Sequence, residues 1–249
     1  MTSDKNIVIH QPNFLPWLGY FAKLVYADKL VVLDNVYFSK RKHIDRVQIV
    51  NMQGEIIWIG LPVGNKFKTP CNKIYFNDKE TIEKIIKTLY SSYSKARYFK
   101  ENISYIEKIL IESIDKSDIL SEIDIFITTK LIELLKIKSP EINRSSQFVE
   151  STFLEPTERL IYLCEKLKTN NIIVGSIEAT EKHDVKKLNK FGINILLQDY
   201  LNNHPTYYQT RRTQLGFAKG LSIVDCIFNI GIEETKILLN LTPLKYGKG

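Results

Sequence analysis

The chain has 249 residues, 44% of them hydrophobic and 25% charged, with a net charge of +7. That is long enough for a substantial core and ordinary for a globular protein, so a disordered or fibrous chain is excluded. No stretch approaches the ~18 apolar residues of a membrane span or has a secretory leader's pattern. Cys71, Cys164 and Cys226 are too few and scattered for a disulfide framework or zinc site, so the protein reads as cytoplasmic with no metal site.

An apolar strand, Ile7 to Ile9, runs straight into His10, Gln11 and Asn13. Pro12, Pro16 and Gly19 bend the chain before an apolar run from Leu18 to Tyr26. A second strand, Leu30 to Leu33, ends on Asp34 and Asn35 and leads into a basic loop of Lys40, Arg41, Lys42 and His43, followed by Arg46. Polar groups thus gather just past two successive strands, the edge at which open α/β sheets bind ligands. Arg46 to Val50 and Glu55 to Val63 form a hairpin about Asn51–Gly54 and continue the sheet as its antiparallel part. Residues 79–137 change to helical period, with three apolar stripes that predict three core-facing helices. The α/β pattern then returns. A helix opens at Pro156, a strand covers 172–174, Gly175-Ser176 turns, a helix spans 184–190 and a strand spans 193–197. Ser222 with Asp225 predicts a capping box at the start of a helix that Gly231 stops, and residues 245–249 are expected to fray. The fold class is α/β: a Rossmann-like mixed sheet, with a three-helix segment inserted or packed alongside. Residues 1–78, 79–137 and 138–249 are portions of one domain.

The residue types suggest an anionic small-molecule ligand. His10, just past a strand end, suits a general base, a general acid or a phosphate donor; the alternative is a structural histidine bonded to a loop carbonyl. Gln11 and Asn13 converge on the same turn, which the two prolines stiffen. Trp17 and Tyr20 offer a stacking face for a base or sugar, or pack the core. Asp34 suits a ribose hydroxyl, a metal-bound water or an amine, or caps a turn. Lys40, Arg41 and Arg46 offer charge-assisted bonds to phosphate, and His43 among them should resist protonation and serve as a neutral base. His183 and Asp184 form a second polar patch or a helix cap, and Tyr208 and Gln209 lie in an aromatic loop that lines or covers a pocket. Lysines are otherwise spread over the whole chain, so the net charge does not mark a nucleic-acid binder. Walker, GxGxxG, HExxH and GxSxG motifs are absent, and the residues name no cofactor.

The run His10-Gln-Pro-Asn-Phe-Leu-Pro-Trp-Leu-Gly-Tyr-Phe21, the segment Asp28 to Phe38, the basic loop, Leu61-Pro-Val63, Tyr207-Tyr-Gln209 and Leu221 to Gly231 resemble the WbqC-like family. Of that family's glycine- and serine-rich segment, this chain keeps only the start, Gly175-Ser176. The resemblance implies a bacterial role in O-antigen or other surface-polysaccharide biosynthesis, on a nucleotide-linked sugar. The expected activity is acyl or aminoacyl transfer to the amine of a nucleotide-linked amino sugar. His10 or His43 would then be the base, Gln11 or Asn13 the oxyanion donor, and Lys40, Arg41 and Arg46 the diphosphate ligands. Trp17, Tyr20 and Tyr208 would face the base or sugar. The alternatives are a nucleotidyltransferase-like enzyme that uses magnesium through Asp34, and a non-catalytic nucleotide-sugar-binding partner. The donor is left open, and nucleic acid is not expected as a partner unless an aminoacyl-tRNA is that donor.

Overall fold

A computed structural model describes residues 4–38, 43–64, 66, 68–181 and 183–246. Its centre is a sheet of β1 (Asn6–His10), β2 (Lys29–Val32), β5 (Glu141–Arg144), β6 (Asn171–Val174), β7 (Asn194–Leu197) and β8 (Lys245–Tyr246), in the spatial order β5-β2-β1-β6-β7-β8. The first five strands are parallel and β8 alone runs antiparallel, pairing Leu196 and Leu197 with Tyr246 and Lys245. Taken in chain order, the parallel strands lie third-second-first-fourth-fifth. This is the doubly wound Rossmann-like order, and its winding reverses between β1 and β6.

Both faces are covered, which is why the strands read as continuous apolar runs rather than as alternation. Val8, Leu30, Val32, Ile173 and Leu196 point into the larger core, which they share with α1 (Leu18–Leu24), α2 (Lys79–Tyr93), α3 (Phe99–Lys116), α4 (Leu120–Leu135) and α7 (Ile223–Leu239). Ile7, Val31, Ile172 and Ile195 point the other way, against α5 (Pro156–Leu167) and α6 (Val185–Lys190). The three helices expected over 79–137 are α2, α3 and α4, and they bury their stripes in the larger core. No helix among the described residues is long and apolar enough to cross a membrane.

Three expectations are corrected. The hairpin of β3 (Arg46–Val50) and β4 (Ile56–Gly60) does not extend the main sheet; it stands as a separate two-stranded sheet. Its alternation is that of a half-covered ribbon, with Val47, Ile49 and Ile59 buried while Ile56 and Trp58 face outward. Of the residues expected to fray, Lys245 and Tyr246 instead pair with β7 and cover its edge, while 247–249 lie outside the described residues. Asp225 is no capping-box partner: the Ser222 amide donates to Gln48 O, and the Asp225 carboxylate accepts from Tyr93 and Tyr207 instead. Gly231 does interrupt α7, with φ +83°, and the helix resumes beyond it.

A candidate active-site cleft at the sheet switch point

A cleft of about 340 Å³ opens where β1 and β6 part at their carboxyl ends, the position the sheet order designates for a ligand. His10 ends β1 on one side, and Gly175 and Ser176 follow β6 on the other. Trp17 and Lys23 reach in from the chain leaving β1.

The turn after β1 is held from several directions. Leu15 is fully buried with φ +41°, a left-handed conformation costly for a leucine. The surroundings impose it: Phe14 N donates to His43 O at 3.0 Å, Ser222 Oγ to Leu15 O at 2.9 Å, and Ile223 N to Pro16 O at 3.0 Å. Trp17 then folds back over Gly19, where a Cβ would come 2.2 Å from the indole, so only glycine admits that packing. The result is a rigid frame that fixes His10 and Trp17 at the mouth of the cleft.

His10 Nδ1 lies 2.9 Å from Gln11 O. A carbonyl only accepts, so Nδ1 carries the proton and Nε2 keeps its lone pair. Burial pushes the His10 pKa down to about 3, helped by the nearby charge of Lys23 and, to a smaller degree, by His43. The ring is therefore neutral throughout the physiological range, and His43 is tied to the same turn through its carbonyl, which accepts from Phe14 N. Tyr20 packs edge-on against His10 at 5.1 Å and stands 5.8 Å from Lys23 Nζ. It is a fully buried spacer between the two, in contact with the site residue rather than stacked on a ligand.

Lys23 is the group that sequence reasoning missed. It is 6% exposed, and no carboxylate among the described residues lies within ion-pair distance of its ammonium. Burial lowers its pKa to about 8, so it is still mostly charged at pH 7. Its Nζ would be only 3.9 Å from a Cβ at position 175, so the cation faces the Gly175 backbone across the cleft. Gln198 Nε2 donates to Ala22 O at 2.6 Å and ties α1 to the end of β7, which keeps Lys23 in place.

The other named residues are distributed as follows. His183 lines the same cleft, and Asp184 caps α6 by accepting from Lys187 N at 2.9 Å. Gln11 is partly exposed beside His10, whereas Asn13 turns inward and donates to Pro12 O. Arg46 forks onto Asp45 at the base of the hairpin. Tyr208 is exposed, while Gln209 is buried and used within the fold, donating to Ala218 O at 2.9 Å and accepting from Ala218 N at 2.8 Å. Lys40 and Arg41 lie outside the described residues. Asp34 is buried and fully engaged, accepting from Ser145 Oγ at 3.0 Å, Ser146 N at 2.8 Å and Ser146 Oγ at 2.6 Å. It joins the ends of β2 and β5 and does not line the cleft. Asp34→Ala is accordingly expected to cost about 2–3 kcal/mol in urea unfolding, because it strands buried donors; unchanged stability would show the bonds to be dispensable.

A protein of Mycobacterium tuberculosis described as "Uncharacterized protein Rv1507c" is similar to this chain, 25% identical over 236 residues that cover 94% of this chain and 97% of that one. No solved structure matches. The WbqC-like protein family matches residues 11–237, a span that starts beside His10 and takes in Lys23, Gly175 and the α7 clamp on the turn, and the chain belongs to that family.

Proposed function

We propose that this protein transfers an acyl or aminoacyl group to the amine of a nucleotide-linked amino sugar, in the assembly of a bacterial surface polysaccharide. The observation that carries this reading is Lys23, 6% exposed at the switch point of a Rossmann-like sheet, with its ammonium facing the cleft and no carboxylate partner among the described residues. A cation largely withdrawn from water with no counter-charge beside it is costly. An entering diphosphate supplies the missing charge, and strand ends in this topology are where nucleotides are held.

The remaining chemistry falls to His10. As the sugar amine attacks the acyl carbonyl, a C–N bond forms, and the bond from the carbonyl to its carrier breaks. The amine's proton passes to His10 Nε2 and from there to the departing carrier. Gln11 O holds the tautomer that makes Nε2 the acceptor. Burial is the main cause of the low His10 pKa, and a diphosphate beside Lys23 offsets the smaller part that comes from the lysine's charge, so the ring becomes a somewhat better base once the acceptor is bound. In this reading the Gln11 side chain, next to the histidine in sequence and partly exposed, donates to the developing oxyanion.

The test separates binding from turnover. Calorimetric titration with UDP and UDP-glucosamine is expected to show binding to the wild type that His10→Gln retains within about twofold. Amide formation from a panel of acyl thioesters and aminoacyl donors, followed by mass, is expected to fall by about 10²-fold or more in that variant. Absence of binding by either nucleotide at millimolar concentration would defeat the proposal. Binding with no turnover of any donor would favour a non-catalytic nucleotide-sugar-binding partner.

A further inference from the structure

The hairpin carries a second cleft, of about 380 Å³, between Arg46 and the segment from Trp58 to Gly64. Trp58 is 46% exposed, on the face of β4 opposite buried Ile59, so its indole is no part of the core. His43 packs beside it, with ring centroids 5.4 Å apart and planes at 43°. Beside the indole, Arg46 forks onto buried Asp45, Nε to Oδ1 at 3.2 Å and Nη2 to Oδ2 at 3.1 Å. Gly60 pairs with Arg46 across the hairpin, and a Cβ there would lie 2.2 Å from Asp45 O and 2.6 Å from Arg46 Cβ. The close strand approach that seats the fork therefore demands glycine. These parts make a platform: a flat apolar face, backed by a histidine and edged by a fixed guanidinium and carboxylate.

We infer that this platform is the sugar subsite, with the pyranose ring stacked on Trp58 and its hydroxyls bonded by Arg46 and Asp45. The inference rests on the reading of the switch-point cleft as a nucleotide-sugar site. His43 connects the two clefts: its ring packs on Trp58, and its carbonyl accepts from Phe14 N in the turn that leaves His10. A ligand with its diphosphate at Lys23 and one ring on Trp58 spans the histidine pair. The ring on Trp58 is the one next to the proton acceptors, and in amide formation that ring must be the amino sugar, not the nucleobase. A pyranose also suits the surroundings better than a base, because it offers C–H groups to the indole and hydroxyls to the charged rim.

Saturation-transfer NMR and calorimetry with UDP, UDP-glucosamine and methyl β-glucosaminide decide the matter. UDP-glucosamine is expected to receive saturation at its pyranose protons. Trp58→Leu is expected to weaken its binding about five- to tenfold while leaving UDP unchanged, with Trp58→Phe intermediate because a stacking face remains. An exposed side chain can be replaced without loss of folding, which thermal unfolding of both variants checks. The inference fails if Trp58→Leu alters UDP and UDP-glucosamine equally or neither. It also fails if the saturation that depends on Trp58 falls on the uracil protons. Should UDP not bind at all, the reading of the Lys23 cleft fails on its own. Methyl β-glucosaminide then still decides: binding lost in Trp58→Leu upholds the platform, and binding absent or unaltered overturns it.

Discussion

Lys23→Met is expected to yield a protein that is more stable than the wild type and has lost its affinity for anions. Methionine matches the length of the lysine stem, and it removes a charge that the folded state holds out of water. The Lys23 pKa is about 8 in the fold against 10.5 unfolded. Between those two values the unfolded chain binds more protons, so the wild type gains stability as pH rises through this window, and below it the full penalty applies. At pH 7 the penalty is about 3 kcal/mol, or roughly 6–12 °C in Tm for a chain of this size. The stability advantage of Lys23→Met should therefore be greatest at neutral pH and vanish towards pH 10.5, as urea titrations at several pH values would show. Affinity for UDP or pyrophosphate should fall tenfold or more at the same time. A variant that is less stable at pH 7, or that binds pyrophosphate as well as the wild type, would mean that Lys23 serves the fold and not a ligand.

The opposite result is expected at Asp225, which has no exposed surface. Its carboxylate accepts from Tyr207 OH at 2.6 Å and Tyr93 OH at 2.8 Å, while Tyr93 OH in turn accepts from Val50 N at 3.1 Å. One side chain thus joins α7, α2, the hairpin and the loop that carries Tyr207. Burial raises the pKa of Asp225, and the donors around it, Tyr207 first, pull it back towards the carboxylate form. Asp225→Ala leaves two tyrosine hydroxyls buried beside a cavity and should cost about 3–5 kcal/mol in urea unfolding. Asp225→Asn, which keeps one accepting oxygen, should cost less. If the alanine variant is as stable as the wild type, the network contributes nothing net.

How much of this was legible in the sequence depended on the range of the interaction that decides each residue. The strands at Ile7, Leu30, Ile172 and Ile193, the three-helix segment and the polar turn at His10 follow from local apolar runs and from prolines, whereas β5 (Glu141–Arg144) and β8 (Lys245–Tyr246), short and mostly polar, carry no such run and are set by pairing with β2 and β7. Lys23 was hidden because a lone lysine in the run from Leu18 to Tyr26 looks like a helix's solvent side. Its burial comes from the sheet end and the Gly175 turn after β6 closing over α1, which no local pattern encodes. Asp34 was equally readable as a ligand or a cap, and serines 111 and 112 residues away engage it. Trp58 sat in an apolar stretch, and its outward face became apparent only once the hairpin proved separate from the main sheet.

The pairing of β1 with β6 also bears on how the protein is made. Asn6 and Asn171, whose side chains meet across these strands, are 165 residues apart. Closing so long a loop costs about 4.5 kcal/mol of chain entropy before any contact repays it. While β1 and β2 can pair early, the far edge of β1 must wait for β6 to leave the ribosome, on the order of ten seconds at about 5–20 residues per second. During that time an apolar parallel strand has an open edge, the feature most prone to pairing with other chains. The arrangement that sets His10 opposite Gly175 therefore makes folding slow and yield sensitive to synthesis rate, so slower expression at low temperature should favour recovery of the native protein.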